Sequence, residues 1–196
     1  MERLIKKYIK KDDPDILHDL RVWARSELAK LEKEGKTDKG LKKLLKKSSK
    51  LRDTDVLYEI CDSKKIRKYL KKRHKKLRAK FVEFLKNFKS TPVPLTKRKI
   101  QKEKCINALS ESFLNKSDEE IHKIRIVIKK CRYAYGMDLK KIQDYLGKAH
   151  DYYNCEKLML KFGKNPKKMI RKKMKYIKKA EKARKKYISS LDFYRK

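Results

Sequence analysis

Apolar residues recur every three or four positions through most of this 196-residue chain, and only five glycines and four prolines interrupt them. That spacing gathers the apolar side chains on one face of successive α-helices. No segment alternates polar and apolar residues over a useful length, so the expected fold is all-α with no sheet.

Turn signals divide the pattern into helices of ordinary length. The first half predicts helices over about residues 2–11, 14–34, 39–61 and 63–88, the third bent near Ser48 and Ser49. Asp13 with Pro14 behind it forms an N-cap followed by the residue best tolerated at the first helical position. The segment KSTPVPLTK holds two prolines and reads as a linker. Beyond it the spacing predicts helices over about residues 99–114 and 118–135, then 138–162 with a break near Gly147, and a strongly basic final helix. Ser117 and Glu120 have the spacing of a capping box, and Gly136 closes the helix that they open. The expected division is one helical bundle over residues 1–90, a linker over 91–97 and a second bundle over 98–196.

The two halves align with one another. LHDLRVWAR (17–25) matches IHKIRIVIK (121–129), which places His18 on His122, Arg21 on Arg125 and Arg25 on Lys129. LKKLLKKSSKLRD (41–53) matches LKKIQDYLGKAHD (139–151), which places Arg52 on His150 and Asp53 on Asp151. An internal duplication follows, with two four-helix bundles related by a pseudo-twofold axis.

Charge narrows the function. Charged residues make up 44% of the chain, and 61 Lys+Arg against 25 Asp+Glu leave a net charge of +36. A compact chain with that charge repels itself unless a polyanion or a counterion cloud neutralises it. Nucleic acid, an anionic membrane surface and a soluble polyanion are the candidates. No run approaches the ~20 apolar residues that a membrane span needs. Lysines and acids break up the N-terminal MERLIKKYIKKDDP, unlike a secretion signal. The four cysteines, Cys61, Cys105, Cys131 and Cys155, lie far apart with no C-x-x-C spacing. They are expected to be reduced, buried small hydrophobes in a cytoplasmic protein.

The residues that carry chemistry are rows of cations. His18, Arg21 and Arg25 are spaced i, i+3 and i+7 and share one helix face. His122, Arg125, Lys129 and Arg132 extend the same row in the second half. Each row borders an apolar stripe, Leu17, Leu20, Ala24 and Leu28 in one case and Ile121, Ile124 and Ile128 in the other. Cations at the margin of a buried face are partly desolvated, which is costly unless an anion meets them. Cations about 5 Å apart along a helix rising 1.5 Å per residue suit a chain of regularly spaced phosphates. Convergence of both rows on one groove is the expected arrangement. The histidines have arginines rather than carboxylates or thiolates as companions, so no metal site and no cofactor are expected.

IHKIRIVIKKCRYAY with LKKIQDYLGKAHD, and LHDLRVWAR with LKKLLKKSSKLRDTDV, resemble the two halves of a CHAD domain, the conserved histidine α-helical domain family. The resemblance covers essentially the whole chain. It implies a two-bundle helical fold that binds inorganic polyphosphate and has no catalytic activity. The site positions it implies are His18, Arg21, Arg25, Lys42, Lys46 and Arg52, then His122, Arg125, Lys129, Arg132, Lys140 and His150. The chain departs from the family pattern at Ser26 and Leu28, where arginines are common, and at Ser49, where glycine is common.

The competing reading is an RNA- or ssDNA-binding protein gripping nucleic acid with the outward basic helices around Lys64–Lys80 and Lys167–Lys186. Such proteins usually add exposed aromatic platforms, whereas Trp23, Tyr133 and Tyr135 are expected to pack in the core. An enzyme is disfavoured, since the chain shows no nucleophile–base pair, phosphate-cradling glycine loop or carboxylate dyad.

Overall fold

The computed structural model describes residues 1–95 and 102–193, without the side chains of Lys33 and of residues 191–193. The end of the expected linker and the start of the helix expected from Lys99 fall outside the described residues. The fold is all-α apart from one small ribbon: α1 (Glu2–Lys10), α2 (Pro14–Lys33), β1 (Lys36–Asp38), α3 (Lys39–Ile60), α4 (Lys64–Lys86), β2 (Pro92–Pro94), α5 (Lys102–Ser110), α6 (Asp118–Tyr135), α7 (Lys140–Lys161) and α8 (Lys167–Phe193). No helix among the described residues is long and apolar enough to cross a membrane. The chain divides into two compact units, Met1–Arg98 and Lys99–Lys196.

In the first unit Asp13 caps α2, its carboxylate accepting from the Asp15 amide at 3.0 Å. Ile5 and Tyr8 of α1 join Leu17, Leu20 and Ala24 of α2, Leu41, Leu44 and Leu51 of α3, and Phe81 and Leu85 of α4 in one core. Burying each such leucine is worth about 1.5–3 kcal/mol, enough for a modest core to hold despite screened repulsion among surface lysines.

One expectation fails here. β1 and β2 form an antiparallel ribbon pairing Lys36 with Pro94, Thr37 with Val93 and Asp38 with Pro92. Three-residue strands are too short to show a period of two, and the two prolines hid β2 in what read as linker. The ribbon is held by Asp38, which is buried and accepts from Leu41 N at 2.6 Å and from Ser90 Oγ and Thr91 N at 2.7 Å. Gly40 permits this closure, because a Cβ there would lie 2.0 Å from the Lys89 carbonyl oxygen. At Ser48 and Ser49, where a bend is expected, α3 runs on without a break. Ser48 Oγ donates to the Leu44 carbonyl at 2.7 Å inside a continuous helix.

In the second unit Ser117 and Glu120 complete the capping box of α6, and Gly136 ends that helix in the left-handed conformation at φ 64°. Phe113, Ile121, Ile128, Leu139, Ile142, Leu146, Ile177 and Ala180 form its core. Buried Arg184 pairs with Glu181 at 2.6 Å and donates to the Leu109 carbonyl at 2.7 Å, tying α8 to α5. Glu181 also accepts from Phe113 N at 2.9 Å. The break expected near Gly147 is absent, and α7 runs unbroken from Lys140 to Lys161.

The cysteine expectation is overturned. Cys105 of α5 and Cys131 of α6 are joined by a disulfide, their Cα atoms 5.8 Å apart and 26 residues apart in sequence. Sequence spacing is silent on cysteines that helix packing brings together. Cys61 and Cys155 are buried as expected, but they too are disulfide-bonded, so no cysteine among the described residues is a free thiol. Tyr133 and Tyr135, in the last turn of α6, are exposed rather than packed in the core. Trp23 is half-buried against the first core.

Candidate functional site

The capping box sets the start of α6 and so fixes which way His122 and Arg125 face. One turn apart, they meet Gly147 and His150, which are one turn apart on α7. The rings of His122 and His150 lie against one another in a tilted arrangement, their centroids 4.5 Å apart and their planes inclined by 33°. A Cβ at Gly147 would sit 3.8 Å from Arg125 Nε and 3.9 Å from Arg125 Nη2, so the guanidinium lies along the bare backbone of α7. Gly147 therefore makes room for a side chain rather than breaking a helix.

Two nitrogens in this cluster, His122 Nδ1 and Arg125 Nε, are buried and find no hydrogen-bond partner among the described residues. Leaving such a group unpaired costs roughly 1–3 kcal/mol. Burial pushes His150 down to about 4, helped by the Arg125 cation and by His122, while Asp118 opposes the shift. At neutral pH His150 is therefore uncharged beside a guanidinium. An anion that settled here would gain the Arg125 Nε donor and, once the ring is protonated, His122 Nδ1, and would reverse the bias against protonation.

The rest of the second row is more peripheral. Arg132 is half-buried, donates to Gln143 Oε1 at 3.4 Å and lies 5.6 Å from the Tyr133 ring centroid. Lys129 is half-buried, and Lys140 is exposed and paired with Asp144 at 3.2 Å. Asp118, at the start of α6, is bound by the nearly buried Lys173 at 2.6 Å, and Lys173 also pairs with Glu156 at 2.9 Å.

The first unit treats differently the positions that the expected repeat aligns with these. Arg21 is half-buried and donates to the Leu45 carbonyl at 3.0 Å and to Ser48 Oγ. Burial lowers it to about 10, Arg25 and Arg52 push it further down, and Asp53 opposes them. Arg21, Arg25 and Arg52 thus form one crowded cationic cluster with Asp53 as a counter-charge. His18 is exposed with its Nδ1 3.4 Å from Asp19, and Lys42 and Lys46 are exposed on α3.

The structure thus assembles His122, Arg125 and His150 in one unit and Arg21, Arg25 and Arg52 in the other. It leaves His18, Lys42, Lys46 and Lys140 on the solvent side. Sequence reasoning missed the role of Gly147, although its place three residues before His150 was a usable signal. It also missed what His74 does within its run of lysines. That ring lies between Asp55 at 2.6 Å and Asp12 at 3.0 Å, and Arg78 pairs with Asp12 at 3.0 Å. Burial raises Asp55, and the His74 contact counters that shift. His74 is a structural clamp between the start of α2, α3 and α4. Among the described residues no group of three His, Cys, Asp or Glu could hold a metal ion.

Comparison with protein-family models, with curated proteins and with solved structures gave no match.

Proposed function

We propose that this chain is a non-catalytic, CHAD-like binder of inorganic polyphosphate acting inside the cell. On this reading its two units are duplicated four-helix bundles, each contributing a basic cluster. The observation that carries the reading is the pair of buried, unpartnered nitrogens, His122 Nδ1 and Arg125 Nε, beside an uncharged His150. A phosphate oxygen accepts hydrogen bonds without offering a proton to compete, and its charge suits the guanidinium. A chain of phosphates extends that match to Arg132 and Lys129, farther along α6. The Arg21, Arg25 and Arg52 cluster offers a second cationic patch, already partly offset by Asp53.

The test is calorimetric titration of long-chain polyphosphate into wild type, Arg125→Ala, Arg132→Ala, Lys178→Ala and Lys182→Ala at fixed ionic strength. The first two variants should lose about tenfold or more in affinity, since a charge-assisted contact in a desolvated site is worth roughly 1.5–3 kcal/mol. The two surface lysine variants should change little. Equal small losses at all four positions would mean that bulk charge alone does the binding.

A further inference from the structure

On the other side of α7, facing α8, lies a feature the polyphosphate reading leaves unused. Tyr145 and Tyr152 are seven residues apart on one face of α7, and Tyr176 meets them from α8. Tyr152 and Tyr176 are stacked, with centroids 5.6 Å apart and planes inclined by 17°. Tyr145 and Tyr176 follow at 6.4 Å and 37°. The three rings form a row, each half-buried along the α7–α8 seam. A lysine lies against every ring: Lys172 Nζ is 5.3 Å from the Tyr152 centroid, Lys148 Nζ is 5.5 Å from that of Tyr176, and Lys179 Nζ is 5.9 Å from that of Tyr145.

None of these three ammonium groups has a carboxylate within ion-pair distance among the described residues. Asp151 is the anion that acts on Tyr152, and its effect is smaller than that of burial. Along α8 the cations continue with Arg171, Lys175, Lys178 and Lys182, which border the exposed Ile170 and Met174. The seam therefore combines aromatic faces with uncompensated positive charge, side by side and on rigid helices.

We propose that this α7–α8 seam is a stacking site for single-stranded nucleic acid. Phosphates draw Lys148, Lys172 and Lys179 off the ring faces, and bases take their place on Tyr145, Tyr152 and Tyr176. Ring separations of 5.6 and 6.4 Å exceed the 3.4 Å base spacing along a stacked strand, so the fit is to an extended, unstacked strand rather than a duplex. Polyphosphate would meet the same lysines but has nothing to place on the rings. The seam is built from a different face of α7 from the one carrying Gly147 and His150, so the two ligands need not compete for one surface.

The experiment measures affinity by fluorescence anisotropy for a labelled single-stranded oligouridylate of about 15 nucleotides, and separately for polyphosphate. The proteins are wild type, single Tyr145→Leu, Tyr152→Leu and Tyr176→Leu variants, the matching Tyr→Phe variants, and Arg125→Ala. Each leucine variant should lose about tenfold for the oligonucleotide and keep its polyphosphate affinity, while phenylalanine restores binding. Arg125→Ala should keep oligonucleotide binding, so failure of the polyphosphate reading would not be mistaken for failure of this one. Equal losses for both ligands in the leucine variants, or no loss for the oligonucleotide, overturn the proposal. Should the leucine variants fail to fold, photocrosslinking of 4-thiouridine RNA to wild type decides. Adducts on Tyr145, Tyr152 or Tyr176 support the site, and adducts confined to α4 overturn it.

Discussion

Arg21 and Arg125 are paired by the expected repeat of the sequence, yet they have opposite fates. Arg21 spends its donors on the Leu45 carbonyl and on Ser48, inside its own unit. Arg125 lies along Gly147 with a buried nitrogen that nothing among the described residues accepts from. The difference lies one helix away. Where the first half has Ser48 and Ser49, the second has Leu146 and Gly147, which offer no hydroxyl and no Cβ. One serine satisfies an arginine and makes it structural. One glycine leaves an arginine with a buried nitrogen that has no partner among the described residues. The histidines divide the same way: His74 is clamped by two carboxylates, whereas His122 and His150 face each other beside a cation.

The largest expected effect tests how far this asymmetry extends to the scaffold. The disulfide between Cys105 and Cys131 anchors α6, which carries His122 and Arg125, to α5. A Cys105→Ala/Cys131→Ala variant should lose about 2–4 kcal/mol of stability. Amide exchange should show the loss in the second unit while the core of the first keeps its protection. Uniform loss of protection across both units would show that the cross-link does not act locally.

Crossing the two arginines comes next. Arg21→Ala should destabilise the first unit by about 1–3 kcal/mol, because it removes a donor from a buried hydroxyl and carbonyl, and should cost little polyphosphate affinity. Arg125→Ala should leave stability unchanged or raised and cut affinity about tenfold. Denaturant titration and calorimetry on the same samples check both halves of the comparison. Matching losses of stability and affinity at both positions would erase the distinction.

Acid supplies a third test. In the free protein His150 is held near 4, and a bound anion would raise it, so binding takes up a proton. Affinity should therefore rise as pH falls from about 7 towards 4, with the steepest change below the reference histidine value of ~6.5. Folding responds in the opposite sense. The folded value lies below the unfolded one, so stability is held above pH ~6.5 and declines as pH falls towards 4. Both slopes should shrink in a His122→Gln/His150→Gln variant and persist in His18→Gln, since His18 is exposed. Slopes that survive the double substitution would remove these histidines from the site.

The smallest effect concerns Gly147. Contacts of 3.8 and 3.9 Å are ordinary van der Waals distances, so alanine fits beside Arg125. Gly147→Ala should raise stability by about 0.5–1 kcal/mol through helix propensity and leave polyphosphate affinity unchanged. Gly147→Gln, which reaches into the guanidinium, should weaken binding. A loss of affinity with alanine would mean that the phosphate itself comes closer to the α7 backbone than Arg125 does.

Much of this molecule was legible before any coordinates. Apolar spacing and few breakers sufficed for the helices, and Asp13, Ser117 and Gly136 marked three of their ends where the structure has them. Those signals are local, since a cap or a turn depends on residues within one helical turn. The rows His18–Arg21–Arg25 and His122–Arg125–Lys129–Arg132 were legible for the same reason. What they touch was not. The amino-acid order by itself determined which residues share a helix face and how much positive charge the surface must carry. Only tertiary structure decided that Cys105 meets Cys131, that His122 meets His150, that Gly147 shelters Arg125 and that Ser48 captures Arg21. Each of those pairs joins two helices, and a helical period states which face turns inward but not which neighbour it will find there.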